Sequence, residues 1–452
     1  MQSPSPTFNV TEFLDRRPFG RSHAIVLALC SLVTFLDGYD IYVVAYILLA
    51  LATTFHVPPA TLAPALILQQ IGLTLGCYLV APFADRFGRK NLIILCVAAF
   101  AMLTLATTRA NSVEEFGMLR FCSGLFFGGA LPNALAFINE VAPRTNRAVM
   151  TGTASAGISL SSAVGAVVSV ALVREHGWQS VFLVGGLAPL AILPFLYWQL
   201  PESVRFLVTR NDRDPRIGTI LRRYDRSLVL SGSERFILNE VVERRIPVAA
   251  LFHRSRGMTT LLLWVGFFVM GFLLTVLGQF LPTFLQVAGG VDHTRASIYT
   301  GLYALAGALL QPLAGQVADR VGVRKVLILL YVVGGLALAA FGMVNTHSVV
   351  IYLMLLLLAA TVQPEAGLSS TLGSWAYPTS IRATGLGWAW GASRVGAIVA
   401  PMIGGIVLAG QFSMIQIFLT ISIASWIGAI AMWLIKPTAE VVLSKQDVMH
   451  AL

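Results

Sequence analysis

The chain has 452 residues, 56% of them hydrophobic and 12% charged, with a mean hydropathy of +0.78 and a formal net charge of +10. Soluble globular chains carry about 25% charged residues, so too little polar surface is left to cover a water-facing globule, and lipid is the expected solvent. The basic residues sit in short segments between apolar runs rather than clustering with aromatics, which excludes a nucleic-acid-binding face.

Residues 1–23 read as a polar tail, with Glu12, Asp15, Arg16, Arg17 and Arg21 ahead of the first apolar run. That run is too long for a signal-peptide core and has no convincing cleavage site, so a retained first transmembrane helix is expected at 24–51. A helix rising roughly 1.5 Å per residue needs about 20 residues to cross the hydrocarbon core. On that rule further spans are expected at 61–83, 91–108, 113–141, 147–173 and 179–199, completing an N-terminal six-helix bundle over 24–200. Residues 201–256 hold twelve arginines and seven acidic residues. They are too polar to span and read as a cytoplasmic connector, helical around Glu234–Arg245. A second set of spans is expected at 257–287, 295–318, 324–345, 348–376, 382–410 and 413–435. These form a C-terminal bundle over 257–436, followed by a tail over 437–452. The expected fold is therefore all-α: a polytopic membrane protein with twelve transmembrane helices in two pseudo-symmetric six-helix bundles.

One set of connections carries Arg86, Arg89, Lys90, Arg144, Arg147, Arg320, Arg324, Lys325 and Arg382, and the opposite set only Arg109, Arg174 and Arg295. Lys and Arg are retained on the cytoplasmic side, so both termini are expected in the cytoplasm, with the chain multi-pass in the cell inner (plasma) membrane. The same pattern repeats. The Asp85–Lys90 segment (DRFGRK) returns as Asp319–Lys325 (DRVGVRK), and Pro143 with Arg147 returns as Pro378 with Arg382, at offsets of 234 and 235 residues. Two matched halves are what a rocking transporter requires, because alternating access moves one bundle against the other about a midplane site.

These residues resemble the major facilitator superfamily. Ala81 to Lys90 (APFADRFGRK) is similar to its G-x-x-x-D-R-x-G-R-K/R signature, with alanine in place of the first glycine, and Gly315 to Gly322 is similar to the second-half copy. A narrower resemblance is to the aromatic acid:proton symporter family. It rests on Asp37-Gly38-Tyr39-Asp40 in the first span, Arg120 through Pro143 in the fourth, and Tyr377 through Pro401 in the eleventh, with Phe126 where that family usually has glycine. The resemblance covers nearly the whole chain. It implies a proton-coupled symporter importing an aromatic carboxylate such as benzoate or a hydroxybenzoate, with the proton as coupling ion and no cofactor. It also implies a charge latch at the cytoplasmic helix ends, formed by Asp85, Arg86, Arg89, Glu140, Arg147, Asp319, Arg320 and Arg382.

Ionisable side chains inside the bilayer cost roughly 2.5–3.5 kcal/mol each on insertion scales, so each is a functional candidate. Asp37 and Asp40, spaced i, i+3, share one helical face roughly 20–24 Å from the cytoplasmic end, in the same layer as Arg120. Two neighbouring carboxylates in low dielectric cannot both ionise cheaply, which suits a proton carrier; the alternative is a structural pair satisfied by Arg120. Arg394, flanked by Gly391, Ala392, Gly396 and Ala397, suits a bidentate grip on a substrate carboxylate; the alternative is an ion pair with Glu365. Arg120 is a second candidate for that grip. Tyr39, Phe127, Tyr303 and Trp388 are candidates to hold an aromatic ring, and Asn133, Gln279 and Gln363 to bond its hydroxyls.

Cys30, Cys77, Cys96 and Cys122 lack metal or redox spacing, the seven histidines are scattered, and no phosphate-cradling G-x-x-x-x-G-K-[ST] motif occurs. The expected partners are a small organic anion and the lipid bilayer, the chain acting as a monomer and not as an enzyme. The competing readings are a proton-linked efflux antiporter or sugar-type porter of the same fold, and a non-transporting membrane sensor.

Overall fold

The computed structural model describes residues 7–143, 145–225, 227–230, 234–238, 251–252, 256–377 and 379–435, the side chains at 147–148 and 379–383 excepted. They fall into two compact units, one drawn from 1–50 and 68–242, the other from 51–67 and 243–452.

In the first unit, apart from the end of α2 and the start of α3 (51–67), strand β1 (Thr7–Asn9) leads into helix α1 (Val10–Asp15), and α2 runs from Arg21 to Thr54. Then come α3 (Ala63–Leu79), the single turn α4 (Ala84–Phe87), α5 (Arg89–Thr107), α6 (Val113–Val141), α7 (Arg147–His176) and α8 (Gln179–Gln199). The polar stretch that follows holds α9 (Val204–Arg210), α10 (Pro215–Tyr224) and strand β2 (Arg235–Ile237). The second unit holds α11 (Gly257–Val287), α12 (His293–Val321), α13 (Val323–Phe341), α14 (Val350–Val362), α15 (Glu365–Ala376), α16 (Thr379–Ala409) and α17 (Met414–Leu434). Eleven of these runs are long and apolar enough to cross a membrane. The twelfth, α12, is 29 residues long but interrupts its apolar sequence with Tyr299, Tyr303, Gln311 and Gln316. The twelve-helix, two-bundle fold follows.

Helix ends are closed by the expected chemistry. Ser112 caps α6 by accepting the Glu115 N–H, Asp292 caps α12 by accepting the Arg295 N–H, and Ser413 with Gln416 forms a capping box on α17. Prolines stand inside α6, α8, α11, α12 and α16, a residue that membrane helices tolerate more readily than soluble ones. At Gln363-Pro364 the tenth span does break, into α14 and α15.

The internal repeat is visible in the backbone. Gly88 (φ 91°, ψ 151°) and Gly322 (φ 106°, ψ 128°), 234 residues apart, each take a left-handed conformation that a side chain resists, and each starts a 19-residue helix. Lys90 Nζ then donates to the Tyr197 carbonyl at the end of α8 (2.6 Å), as Arg324 Nε donates to the Met432 carbonyl at the end of α17 (3.0 Å).

Two seams join helices almost backbone to backbone. A Cβ added at Gly72 or Gly76 of α3 would stand 2.2 or 2.1 Å from a carbonyl of α6, and one at Gly128 of α6 would stand 2.2 Å from the Leu73 carbonyl of α3. In the second unit, a Cβ added at Gly271 of α11 would stand 2.1 Å from the Ser393 carbonyl, and one at Gly396 of α16 2.1 Å from the Phe268 carbonyl. Small residues let membrane helices approach this closely and gain dispersion energy where no hydrophobic effect acts. Gly128→Leu is expected to force α3 from α6 and lower the melting temperature of purified protein by at least about 4 °C; an unchanged melt would mean that the seam yields.

The polar stretch differs from expectation. Its helices lie at 204–210 and 215–224, whereas 235–237 is extended, because Phe236 pairs in parallel with Phe8 and buries against it; the remainder of the expected Glu234–Arg245 helix lies largely outside the described residues. Val10, Leu14, Val204, Leu207, Ile217, Leu221 and Phe236 share one apolar cluster. The N-terminal segment is thus folded onto the connector rather than trailing.

Candidate functional site

The centre of the first unit holds a fully buried charge cluster. Asp37 and Asp40 lie in the middle of α2 and Arg120 one-quarter along α6. Arg120 Nη2 donates to Asp40 Oδ2 and to the Asp40 carbonyl (3.3 Å), and Thr104 of α5 donates to Asp40 Oδ1 (2.9 Å). The guanidinium carbon also stands 5.2 Å from the centre of the Phe182 ring on α8. Of the two carboxylates Arg120 therefore satisfies Asp40 alone, through Nη2, while its Nε and Nη1 have no partner among the described residues. Asp37 is different: it is 1% exposed and neither carboxyl oxygen has a partner among the described residues. Leaving such a group charged and dry is costly. Gly38 makes the arrangement possible, since a Cβ there would stand 2.4 Å from Ser161 Oγ of α7.

At the basic end of this unit a second cluster forms. Arg89 of α5 contacts Glu140 of α6 through Nε (2.7 Å) and Nη2 (2.6 Å), and its Nη1 donates to Asn133 Oδ1 (3.0 Å). Ser203 Oγ donates to the other Glu140 oxygen (2.6 Å), while Glu202 accepts the backbone N–H groups of Lys90 (3.1 Å) and Ser203 (2.8 Å). The arrangement can hold the ends of α5, α6 and α9 together by charge. Asp85 and Arg86 are exposed and form no ion pair among the described residues, as do Asp319 and Arg320; the side chains of Arg147 and Arg382 lie outside them.

Several side chains named from the sequence are committed elsewhere. Asn133 also donates to the Ala81 and Gly129 carbonyls (3.1 and 2.8 Å), which places it with Arg89 and not in the middle of the span. Phe127 is wholly buried against Phe100, ring centres 4.6 Å apart, in the core of the unit. Tyr39 donates to the Val181 carbonyl (3.0 Å) and fills the space left by Gly185 and Gly165. Neither Phe127 nor Tyr39 presents an open ring face. Trp388 is about half exposed and stacks on Trp264 at 5.7 Å, with 19° between the planes.

In the second unit Arg394 lies midway along α16, half-buried, with no hydrogen bond or ion pair to any described residue. The ion pair with Glu365 is absent, and Glu365 is itself fully buried with both oxygens unpartnered among the described residues. Gln279 of α11 is buried with both amide atoms unpartnered on the same terms. Tyr303 is buried on α12, and Gln363 packs its stem against Gly307. Thr104, Ser203 and Glu365 were not legible as site residues: a single threonine or serine carries no pattern, and Glu365 entered only as a partner for Arg394.

The model of the Major Facilitator Superfamily matches this chain over residues 30–292 and 263–448. The gallate transporter of Pseudomonas putida is 33% identical over 428 residues, 94% of each chain. The 4-hydroxybenzoate transporter PcaK of Pseudomonas aeruginosa is 31% identical over 413 residues, 90% of this chain and 92% of its own. Among solved structures the xylose transporter XylE of E. coli superposes with a TM-score of 0.71 at 17% identity, covering 92% of this chain and 96% of that one.

Proposed function

The chain belongs to the Major Facilitator Superfamily and is a multi-pass membrane transporter, not an enzyme; from that premise we propose that it imports an aromatic carboxylate together with protons, by alternating access across the cell inner membrane. The observation that carries the reading is Arg394, a half-buried guanidinium in the middle of a span with nothing paired to it among the described residues. An unpaired cation at that depth is costly to keep, and a planar fork answers a carboxylate with two parallel hydrogen bonds. The relatives named for gallate and 4-hydroxybenzoate support an aromatic acid as the cargo. The buried amide of Gln279 supplies a donor and an acceptor for a ring hydroxyl.

Asp37 carries the proton in this reading. Among the described residues it has no cation bonded to it, while Asp40, three residues on, is paired with Arg120. Proton binding at Asp37 offsets the negative charge that the cargo brings, so a loaded bundle rocks without exposing net charge to lipid. The excess of arginine and lysine in the connections at the Arg86–Lys90 end supports cytoplasmic termini, and the Arg89–Glu140–Ser203 cluster then serves as the cytoplasmic latch.

The test is uptake of gallate, 4-hydroxybenzoate and benzoate into proteoliposomes with an imposed pH gradient. Accumulation should follow the gradient and vanish when it is dissipated; transport indifferent to the gradient rejects symport. Asp37→Asn is expected to abolish gradient-driven accumulation while leaving the melting temperature near wild type, since it removes no side-chain bond to any described residue. Full accumulation in that variant would move the proton site elsewhere.

A further inference from the structure

We propose that Glu365 is a second protonatable site, seated at the break of the tenth span, which holds a proton in the state described here and gives it up during the transport cycle. The side chain is completely buried, close to the middle of the apolar run 350–376, and neither oxygen has a hydrogen-bond partner among the described residues. An isolated carboxylate in such a place costs several kcal/mol, so the group present is the acid.

Among the described residues no cation pairs with it. Helix α15 packs on α11, α12, α13 and α16. Helix α11 has no ionisable side chain at all. From α13, Tyr331 faces Glu365, but its hydroxyl donates to the Gly266 carbonyl (3.1 Å). The ionisable residues of α12 (His293, Arg295, Tyr299, Tyr303, Asp319, Arg320) make no hydrogen bond or ion pair to it, and Arg394 of α16 makes none either.

The break beside it makes the site two-state rather than inert. Pro364 has no N–H to continue α14, and Glu365 is the first residue of the 12-residue α15. There the unsatisfied N–H groups and the helix dipole favour negative charge. Dry, the position selects the neutral acid; wetted by a rearrangement at the break, it accommodates the anion. A merely structural position would be filled more cheaply by an apolar side chain of similar size.

The inference rests on the proton-coupled reading for its transport arm but not for its spectroscopic one. In full-length protein reconstituted in liposomes, infrared difference spectra should show an absorption of protonated carboxyl groups that loses one component in Glu365→Gln; an unchanged spectrum overturns the proposal. In transport, a pH difference of about one unit concentrates an anion about tenfold per coupled proton. Glu365→Gln should lose that factor while substrate exchange at equal pH continues, whereas wild-type accumulation in the variant overturns the proposal. Should wild type itself ignore the gradient, symport fails as a reading and the infrared result alone decides Glu365. If Glu365→Gln does not reach the membrane, Glu365→Asp replaces it: the carboxyl absorption should shift, and an unshifted band counts against the site.

Discussion

Replacing Asp40 by asparagine is expected to cost about 3–5 kcal/mol of stability, the penalty of breaking a buried ion pair and leaving one charge uncompensated. Arg120 would be that charge: it is fully buried, and its bonds among the described residues go to the Asp40 side chain and carbonyl. Asparagine keeps the shape and still receives the Thr104 hydroxyl, so the loss isolates charge from packing. Thermal unfolding of purified protein should show a drop of several degrees, with uptake lost alongside. The double variant Asp40→Asn, Arg120→Gln should recover most of the melting temperature, because both charges are gone, yet transport should stay low. If the single variant melts like wild type, the pair does not hold α2 to α5 and α6, and the account of this cluster as a structural keystone beside Asp37 is wrong.

Arg394→Lys is expected to weaken substrate binding by about 10–100-fold, since charge-assisted hydrogen bonds contribute about 1.5–3 kcal/mol and an ammonium cannot reproduce the planar fork. The melting temperature should hardly change, because Arg394 has no partner among the described residues to lose. That combination, a large loss of affinity without a loss of stability, separates a cargo-binding arginine from a structural one. Calorimetric titration with 4-hydroxybenzoate gives the first number and a melt gives the second. Lysine with wild-type affinity would refute a bidentate grip.

Hydropathy and charge placed ten of the twelve spans within three residues at either end of the helices observed, because the bilayer requirement of about 20 apolar residues is blunt and local. The repeat was equally legible, since Gly88 and Gly322 announce the same turn. What the chain did not disclose was helical phase. Phe127 and Tyr39 read as ring-binding aromatics, but on helices apolar around their whole circumference nothing in the pattern distinguishes an inward from an open face. Asn133 read as a partner for a ring hydroxyl, yet its depth along α6 sets it against Arg89. The fold of 7–15 against 204–237 was hidden for another reason: Phe8 and Phe236 are 228 positions apart, and a three-residue strand leaves no period to detect. Asp37, Asp40 and Arg394 were legible because a charge in lipid must have a purpose; which of them was already paired was not.

The glycine seams bear on how either unit is able to deform. Helices that meet through long side chains can slide by exchanging rotamers, which is the basis of shear motion. Along α3 and α6, and again along α11 and α16, the contact is main chain on main chain, with carbonyls where a Cβ would sit. A slip of one residue would drive a side chain into peptide atoms, and there is no flexible layer to absorb it. Shear within these pairs is closed off, so each must travel as a solid strut, and whatever bending a cycle demands falls to interruptions such as the one at Pro364.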